Sequence, residues 1–298
     1  MVDEDLVDAI YCCTHAQYGG RALRKESFVL RFSGAGVSDI GRKRSHNEDS
    51  GFVAPYVAIV ADGVGGAAAG EVASATAAYA ASAVALGWFG ERPERVLAEA
   101  HAAAAAGVRM GIQRDLDRLG MATTLTMLVT DGRHVALGHV GDSRGYLFRD
   151  GELHQITQDH TYVQHLIDVG KLSAEARASH PWRNVVLRSV DGDPEGGGLD
   201  VIRLDVRLGD LLLLASDGLT DLVPAAVIAE VLGAGDCDEA AARLTQLALD
   251  AGGHDNITVV VLELVDGPRV VGDGRPLGAL SDPVNVVDPS AVHLPRVS

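Results

Sequence analysis

Two stretches, YVAIVADGVGG at 56–66 and DLLLLASDGLTD at 210–221, drive an apolar strand straight into an aspartate. A carboxylate with such neighbours is drawn part-way into the core, where it is costly unless a cation meets it. The same context recurs in NED at 47–49, GDSR at 141–144 and HDN at 254–256, each at or just beyond an apolar strand. One Asp-Gly after a strand reads as a turn. Several in one chain call for a cationic partner. Hard divalent ions are the economical choice, because magnesium and manganese take carboxylate, carbonyl and water oxygens, and the glycine beside each Asp permits close backbone approach. The 11 histidines offer no H-E-x-x-H or similar spacing. His101, His134, His139, His154 and His165 read as surface or core residues, and oxygen ligation leads.

Between the carboxylates, alternation and β-branched residues predict short strands at 28–37, 57–61, 123–130, 134–140, 145–149, 211–215 and 257–264. Alanine-rich stretches predict helices over 70–89 and 93–118, with further helices over 161–170, 173–178 and 224–252. Asp131-Gly132 and Asp150-Gly151 punctuate a meander between them. Strands and helices are not regularly interleaved, which predicts an α+β fold of mostly antiparallel sheets with helices on their outer faces.

The 298 residues, 47% hydrophobic, suffice for one large domain, placed at 27–264. Residues 1–26 lack a clear period and read as an N-terminal extension. The tail 265–298 holds five of the ten prolines and is expected to be loosely ordered. Acidic residues outnumber basic ones 41 to 25, for a net charge of −16, which argues against nucleic-acid and anionic-membrane partners. The start, MVDEDLVD, is acidic where an export signal would be basic. The most apolar run, 76–90, falls short of the roughly 20 residues that cross a bilayer and reads as a buried helix. Cys12 and Cys13 are adjacent and Cys237 is distant, with no C-x-x-C pair, so a reduced, cytoplasmic setting is expected.

GRKRSHNEDS at 41–50 places Arg42, Lys43 and Arg44 just ahead of Glu48 and Asp49. A guanidinium binds two phosphoryl oxygens at once, and paired metals about 3.5–4 Å apart activate a water and neutralise an in-line displacement. Cations for a phosphoryl group and carboxylates for metals form one apparatus for phosphate chemistry.

In this order the motifs resemble those of metal-dependent serine/threonine phosphatases of the protein phosphatase 2C type, the PPM family, and its bacterial branch in particular. The resemblance is carried by SDIGRKRSHNEDS, ADGVGGAAAGEVAS, GMATTLTMLV, GHVGDSRGYLFRDGELHQIT, QDHTYVQHLIDVGKL with HPWRNVVLRSV, GDLLLLASDGLTDLV and GGHDNITVVVLEL, across about 33–264. It implies a central antiparallel β-sandwich flanked by helix pairs, with a metal cleft at one end and a flap at about 158–190. By motif position, Asp62 would bridge two manganese or magnesium ions, Gly63 would offer its carbonyl to one, and Asp217 and Asp255 would complete the other. Glu48 and Asp49 match positions that hold metal-bound waters. Asp142 matches a ligand of a third, weakly held ion shared with Asp217, and Asn256 an orienter of Asp255. Arg44 matches the phosphate-binding arginine, whereas Arg42 and Lys43 read as solvated loop charges.

The chain departs from bacterial relatives at Val64, Ala67 and Ala122, where Met, His and Gly are usual. Val64 also stands near the place of the proposed general acid of animal members, so water or another group would protonate the leaving oxygen. The resemblance implies a monomer that hydrolyses phosphoserine and phosphothreonine on proteins, opposing bacterial kinases. A phosphatase of a partner-switching, anti-sigma-antagonist pathway and a catalytically silent phosphoprotein binder are the alternatives. The flap favours the kinase-opposing branch, and the full carboxylate set disfavours a silent one.

Overall fold

The computed structural model describes residues 29–64, 69–177, 179–193, 198–270 and 274–291. The expected extension 1–26, with Cys12 and Cys13, and Ala67 lie outside the described residues. Among the described residues twelve strands form two sheets in which every strand pairing is antiparallel. The first sheet runs β1 (Val29–Asp39), β11 (Ile257–Gly267), β10 (Leu211–Ala215), β7 (Arg144–Arg149) and β8 (Glu152–Gln155). The second runs β12 (Arg275–Gly278), β2 (Asp49–Ala54), β3 (Val57–Val64), β5 (Leu125–Thr130), β6 (Val135–Val140) and β9 (Asp200–Leu204), with β4 (Ala122–Thr123) added to β3.

Strand parity explains the layers. A strand turns successive side chains to opposite faces, so an unbroken apolar run fills two cores at once. In β3, Val57, Ile59 and Ala61 join the core beneath helices α1 (Gly70–Gly87) and α2 (Pro93–Arg114), while Ala58 and Val60 enter the space between the sheets. In β10, Leu212 and Leu214 share that inter-sheet core, and Leu213 and Ala215 pack beneath a second helix pair, the later helices Ala225–Leu232 and Cys237–Asp250. In β11, Val260, Leu262 and Leu264 point inward, and Val259 and Val261 outward. The result is the expected α+β architecture of helix, sheet, sheet and helix layers.

Boundaries differ from expectation where local chemistry intervenes. The helix expected to reach 118 stops at Arg114, because Asp115 turns extended and accepts from the Asp117 amide to open a 3-10 turn, Leu116–Arg118. The segment 224–252 holds two helices, because Asp236 starts the second by accepting from the Glu239 amide at 2.9 Å. The stretch expected to be helical over 173–178 holds a 3-10 turn, Ala174–Ala176. With the helix α3 (Tyr162–Asp168) and the short α4 (Asp217–Thr220) counted in chain order, those two are α5 (Ala225–Leu232) and α6 (Cys237–Asp250).

The tail needs correction. Instead of a loose extension, its Arg275–Gly278 pairs with β2 as an edge strand, and Leu277 is buried where Gly36 and Gly51 lack side chains. Pro276 disguised this strand, yet an edge has one side on which a missing N–H is harmless. Beyond it, Val286 is buried against the α1 side, the Val287 amide donates to Thr76 Oγ1 at 3.1 Å, and Asp288 pairs with Arg114 at 2.5 Å. Leu277→Ala is therefore expected to cost about 2–4 kcal/mol in urea unfolding, the range for emptying a buried leucine site. An unchanged midpoint would mean that the tail does not hold the sandwich.

Candidate metal centre

The inward face of the sandwich changes character at one end. Continuing the parity of Ala58 and Val60 in β3 brings Asp62, and the cross-strand partner of Asp62 in β2 is Asp49. Paired residues put their side chains on the same face, so two carboxylates stand opposite each other, an arrangement that is unfavourable by itself. The Leu214 series reaches Ser216, the Val260 series reaches Thr258, and Thr258 lies in register with Ser38. These side chains are bonded to one another: Ser216 Oγ donates to Asp49 Oδ2 at 2.7 Å and accepts from the Thr258 amide at 2.9 Å, while the Ser38 and Thr258 hydroxyls are 2.8 Å apart. A hydroxyl layer thus separates the inter-sheet core from the carboxylates.

Backbone geometry sets the remaining groups around this end. Asp62 and Gly63 lie inside β3 rather than in a turn, with Gly63 paired to Thr123 of β4. The Asp62 amide donates to Thr124 Oγ1 at 2.9 Å, and its carbonyl accepts from the Thr124 amide at 2.8 Å. A Cβ on Gly63 would come within 2.4 Å of the Gly70 carbonyl and 2.6 Å of the Glu48 carbonyl, so only glycine permits this approach. Asp217 is the first residue of α4, held between the hydroxyl layer and the α4 turn. Asn256 ties the loop 40–48 to Asp255. Its amide nitrogen Nδ2 donates to the Ile40 and His46 carbonyls at 2.9 Å, its Oδ1 accepts from the Glu48 amide at 2.8 Å, and its own backbone N–H donates to Asp255 Oδ1 at 2.8 Å. Arg44 reaches Asp255 Oδ2 at 2.7 Å and Glu48 at 3.9 Å, with nearly half its side chain exposed. Arg42 instead donates to the Leu249 carbonyl and pairs with Asp250, away from these carboxylates.

Asp142, in the turn between β6 and β7, shares a cavity of ≈ 170 Å³ with Asp217, and Asp217 shares an adjoining one of ≈ 360 Å³ with Asp255. The residues Glu48, Asp49, Asp62, Asp142, Asp217 and Asp255 are thereby assembled from segments far apart in sequence. Burial, then the charges of Asp49 and Asp217, holds Asp62 well above the usual carboxylate range. Burial, then Asp142 and Asp255, does the same to Asp217. Asp49 is pushed up to about 6 by burial, against the Ser216 hydrogen bond that favours its charge, and Asp142 up to about 7 by burial and then Asp159. Burial and Glu71 raise Glu48, which lies beside Gly70 at the N-terminus of α1.

Two buried oxygens, Asp49 Oδ1 and Asp217 Oδ1, have no hydrogen-bond partner. Orphaned carboxylate oxygens among repelling neighbours, with Arg44 already paired, fit hard divalent cations. Among the described residues no three acidic, histidine or cysteine side chains are grouped so as to hold an ion alone. An ion here would complete its shell with backbone carbonyl and water, as magnesium and manganese do.

Residues 42–247 match the family described as Protein phosphatase 2C. The chain belongs to that family. It is 42% identical over 247 residues to the serine/threonine protein phosphatase PstP of Mycobacterium tuberculosis, covering 82% of this chain and 47% of that protein. With the serine/threonine phosphatase stp of Listeria innocua it shares 36% identity over 241 residues, covering 76% of this chain and 93% of that one. A solved PstP catalytic domain in complex with two manganese ions superposes with a TM-score of 0.73 at 40% identity, covering 80% of this chain and all of that one. The chain spans about half the length of the PstP proteins it matches.

The hydroxyl layer of Ser38, Ser216 and Thr258 was missed by motif reading, though each breaks an apolar series at an inward position. Buried His139, the cross-strand partner of Thr126, bonds that hydroxyl at 2.9 Å and is a core residue as expected.

A carboxylate whose pKa is raised on folding stabilises fully below the unfolded value, near 4, and loses that contribution as pH rises through the folded value. In chelator, the protein is expected to lose thermal stability between about pH 4 and 7, the window closed by the values of about 6 for Asp49 and about 7 for Asp142. Asp142→Asn, which removes a carboxylate pushed up to about 7 and therefore charged at pH 8, should raise the melting temperature in chelator at that pH by about 3 °C or more. A lower melting temperature in that variant would show that the Asp142 charge is already compensated without metal.

Proposed function

We infer that this chain hydrolyses phosphoserine and phosphothreonine on proteins with two tightly bound and one weakly bound manganese or magnesium ions, opposing serine/threonine kinases. The observation that carries the reading is the set of half-buried carboxylates with raised pKa and orphaned oxygens at the end of the sandwich, with Arg44 at its edge. Asp62, the Gly63 carbonyl, Asp217 and Asp255 would hold the two tight ions directly, Glu48 and Asp49 would act through water, and Asp142 with Asp217 would hold the weak one. When bound, the ions supply an activated water and neutralise phosphoryl charge. Arg44, which pairs with Asp255 at 2.7 Å at the edge of the site, would grip two phosphoryl oxygens and hold the phosphorus in line. Asn256 keeps Asp255 and the Arg44 loop in fixed relation. Val64 carries no titratable proton, so the leaving oxygen would be protonated by water or another group.

The segment 158–190 supports the kinase-opposing reading over the partner-switching one. It folds back on itself through the Thr161–Val186 bridge and returns to β4 at Val190. No helix among the described residues is long and apolar enough to cross a membrane, and Cys237 is a free thiol. The proposed setting is a monomer working in the cytoplasm on phosphorylated proteins. The catalytic unit would then include the tail through β12.

Hydrolysis of p-nitrophenyl phosphate is expected only with added manganese or magnesium. In the loaded protein, Asp62→Ala and Asp217→Ala should lower kcat about a thousandfold or more, whereas Arg44→Ala should chiefly raise KM, by about tenfold. Full turnover in excess chelator, with metal content checked by elemental analysis, would contradict the reading.

Asp142→Ala is expected to keep the fold and the two tight ions yet lose most activity toward phosphopeptides, because few protein ligands reach the third position. Calorimetric metal titration alongside turnover checks this. A weak binding event that survives the substitution would return Asp142 to a turn residue.

A further inference from the structure

The cavity holding Asp142 and the cavity holding Asp255 have four lining residues in common: Arg183, Asn184, Asp217 and Asp221. They are two lobes of one cleft, and Arg183 and Asn184 of the segment 158–190 line both. Three arginines line the first lobe, and their bonding differs. Arg144 makes a two-pronged pair with buried Asp159 at 2.8 and 2.6 Å, and Arg177 joins the same carboxylate at 2.6 Å while also bonding Gln164. Arg183 is exposed and has no ion pair or side-chain hydrogen bond among the described residues, although Asp221 is near enough to feel its charge.

The backbone beneath Arg183 is held firmly. The amide of Arg183 donates to the His180 carbonyl at 3.2 Å, the Trp182 amide to His180 Nδ1 at 3.2 Å, and the Val185 amide to the Trp182 carbonyl at 3.2 Å. Tyr162 and His180 brace the Trp182 ring at centroid distances of 5.4 and 6.1 Å. Trp182 and Leu187 nevertheless remain more than half exposed. A guanidinium without a partner, set on a fixed turn beside an exposed aromatic ring and lining a cleft, is arranged to bind an anion presented on a polypeptide.

We propose that Arg183 binds an anionic group, a carboxylate or a second phosphoryl, that flanks the scissile phosphate on the substrate peptide, with Trp182 covering the adjoining backbone. This rests on the proposed phosphatase activity and adds a determinant of which phosphopeptides are taken. Asp159 already neutralises charge from Arg144 and Arg177, and cations on Asp142 and Asp217 would remove negative charge from the cleft that Arg183 lines, leaving Asp221 as the carboxylate that feels Arg183. The loaded cleft therefore favours an anion at this position, in a molecule whose net charge of −16 otherwise repels one.

The test measures selectivity in the manganese-loaded protein and its Arg183→Ala and Arg183→Lys variants. Four substrates are compared: p-nitrophenyl phosphate, a phosphothreonine peptide with neutral flanks, the same peptide with flanking glutamates, and the same peptide with a second phosphothreonine. Arg243→Ala, on the exposed side of α6, controls for loss of a positive charge. The expected result is that Arg183→Ala lowers kcat/KM for at least one anion-flanked peptide about tenfold relative to the neutral peptide, through KM, with partial recovery in Arg183→Lys. Whether the glutamate or the doubly phosphorylated peptide shows the loss identifies the anion. An equal loss on all four substrates, or no loss on any, overturns the proposal. Failure of the wild-type protein to hydrolyse p-nitrophenyl phosphate would instead overturn the phosphatase reading itself.

Discussion

The mutual repulsion of Asp49, Asp62 and Asp217 at the rim of the inter-sheet core is the interaction around which the rest is arranged. Asp49 and Asp62 are paired across β2 and β3, and Asp217 is carried to them by the adjoining sheet. Each would be more comfortable protonated, and two retain a buried oxygen with nothing to bond. Folding places them there because they continue apolar strands whose interiors contribute far more than the ends cost. In the proposed site that unresolved charge is what a bound cation would neutralise, the same free energy seen from the other side.

The four-layer architecture makes this possible without disrupting the core. Strand parity carries Val60, Leu214 and Val260 into the gap between the sheets, and one step further along each strand gives Asp62, Ser216 and Thr258. The hydroxyls grade the transition, donating to one oxygen of Asp49 while leaving the other free. Glycine at 63 then lets the start of α1 and the Glu48 loop close over the same end. Strands and strand ends hold the proposed ligand groups, while the proposed peptide-facing side falls to the loop carrying Trp182 and Arg183.

Much of this was legible in the sequence. Asp62 and Asp217 stand out because a carboxylate ends an otherwise apolar run, and the long apolar stretch in α1 reads as buried because no polar face interrupts it. The strand β2 does not stand out: its opening Asp-Ser-Gly has the composition of a turn, and only pairing on both sides makes it a strand. β12 was hidden by Pro276, and β9 by its five-residue length at a sheet edge. The contact of Arg44 with Asp255 joins residues 211 positions apart, and only motif resemblance, not local pattern, connects them. Arg183 lies within the HPWRNVVLRSV motif, but its lack of an ion pair or side-chain hydrogen bond among the described residues shows only in the structure.

The central claim is that raised-pKa carboxylates form the cation site, and proton release on binding tests it most directly. Manganese should be titrated calorimetrically into chelator-treated protein at pH 6.5 and pH 8.5, each in two buffers of different ionisation enthalpy. Groups with pKa of about 6 and about 7, as for Asp49 and Asp142, must give up protons to a cation at the lower pH and have few left at the higher. Net proton release is expected at pH 6.5 and a smaller release at pH 8.5. Binding with no proton release at pH 6.5 would contradict the central claim, because the cation would then be held by groups already ionised.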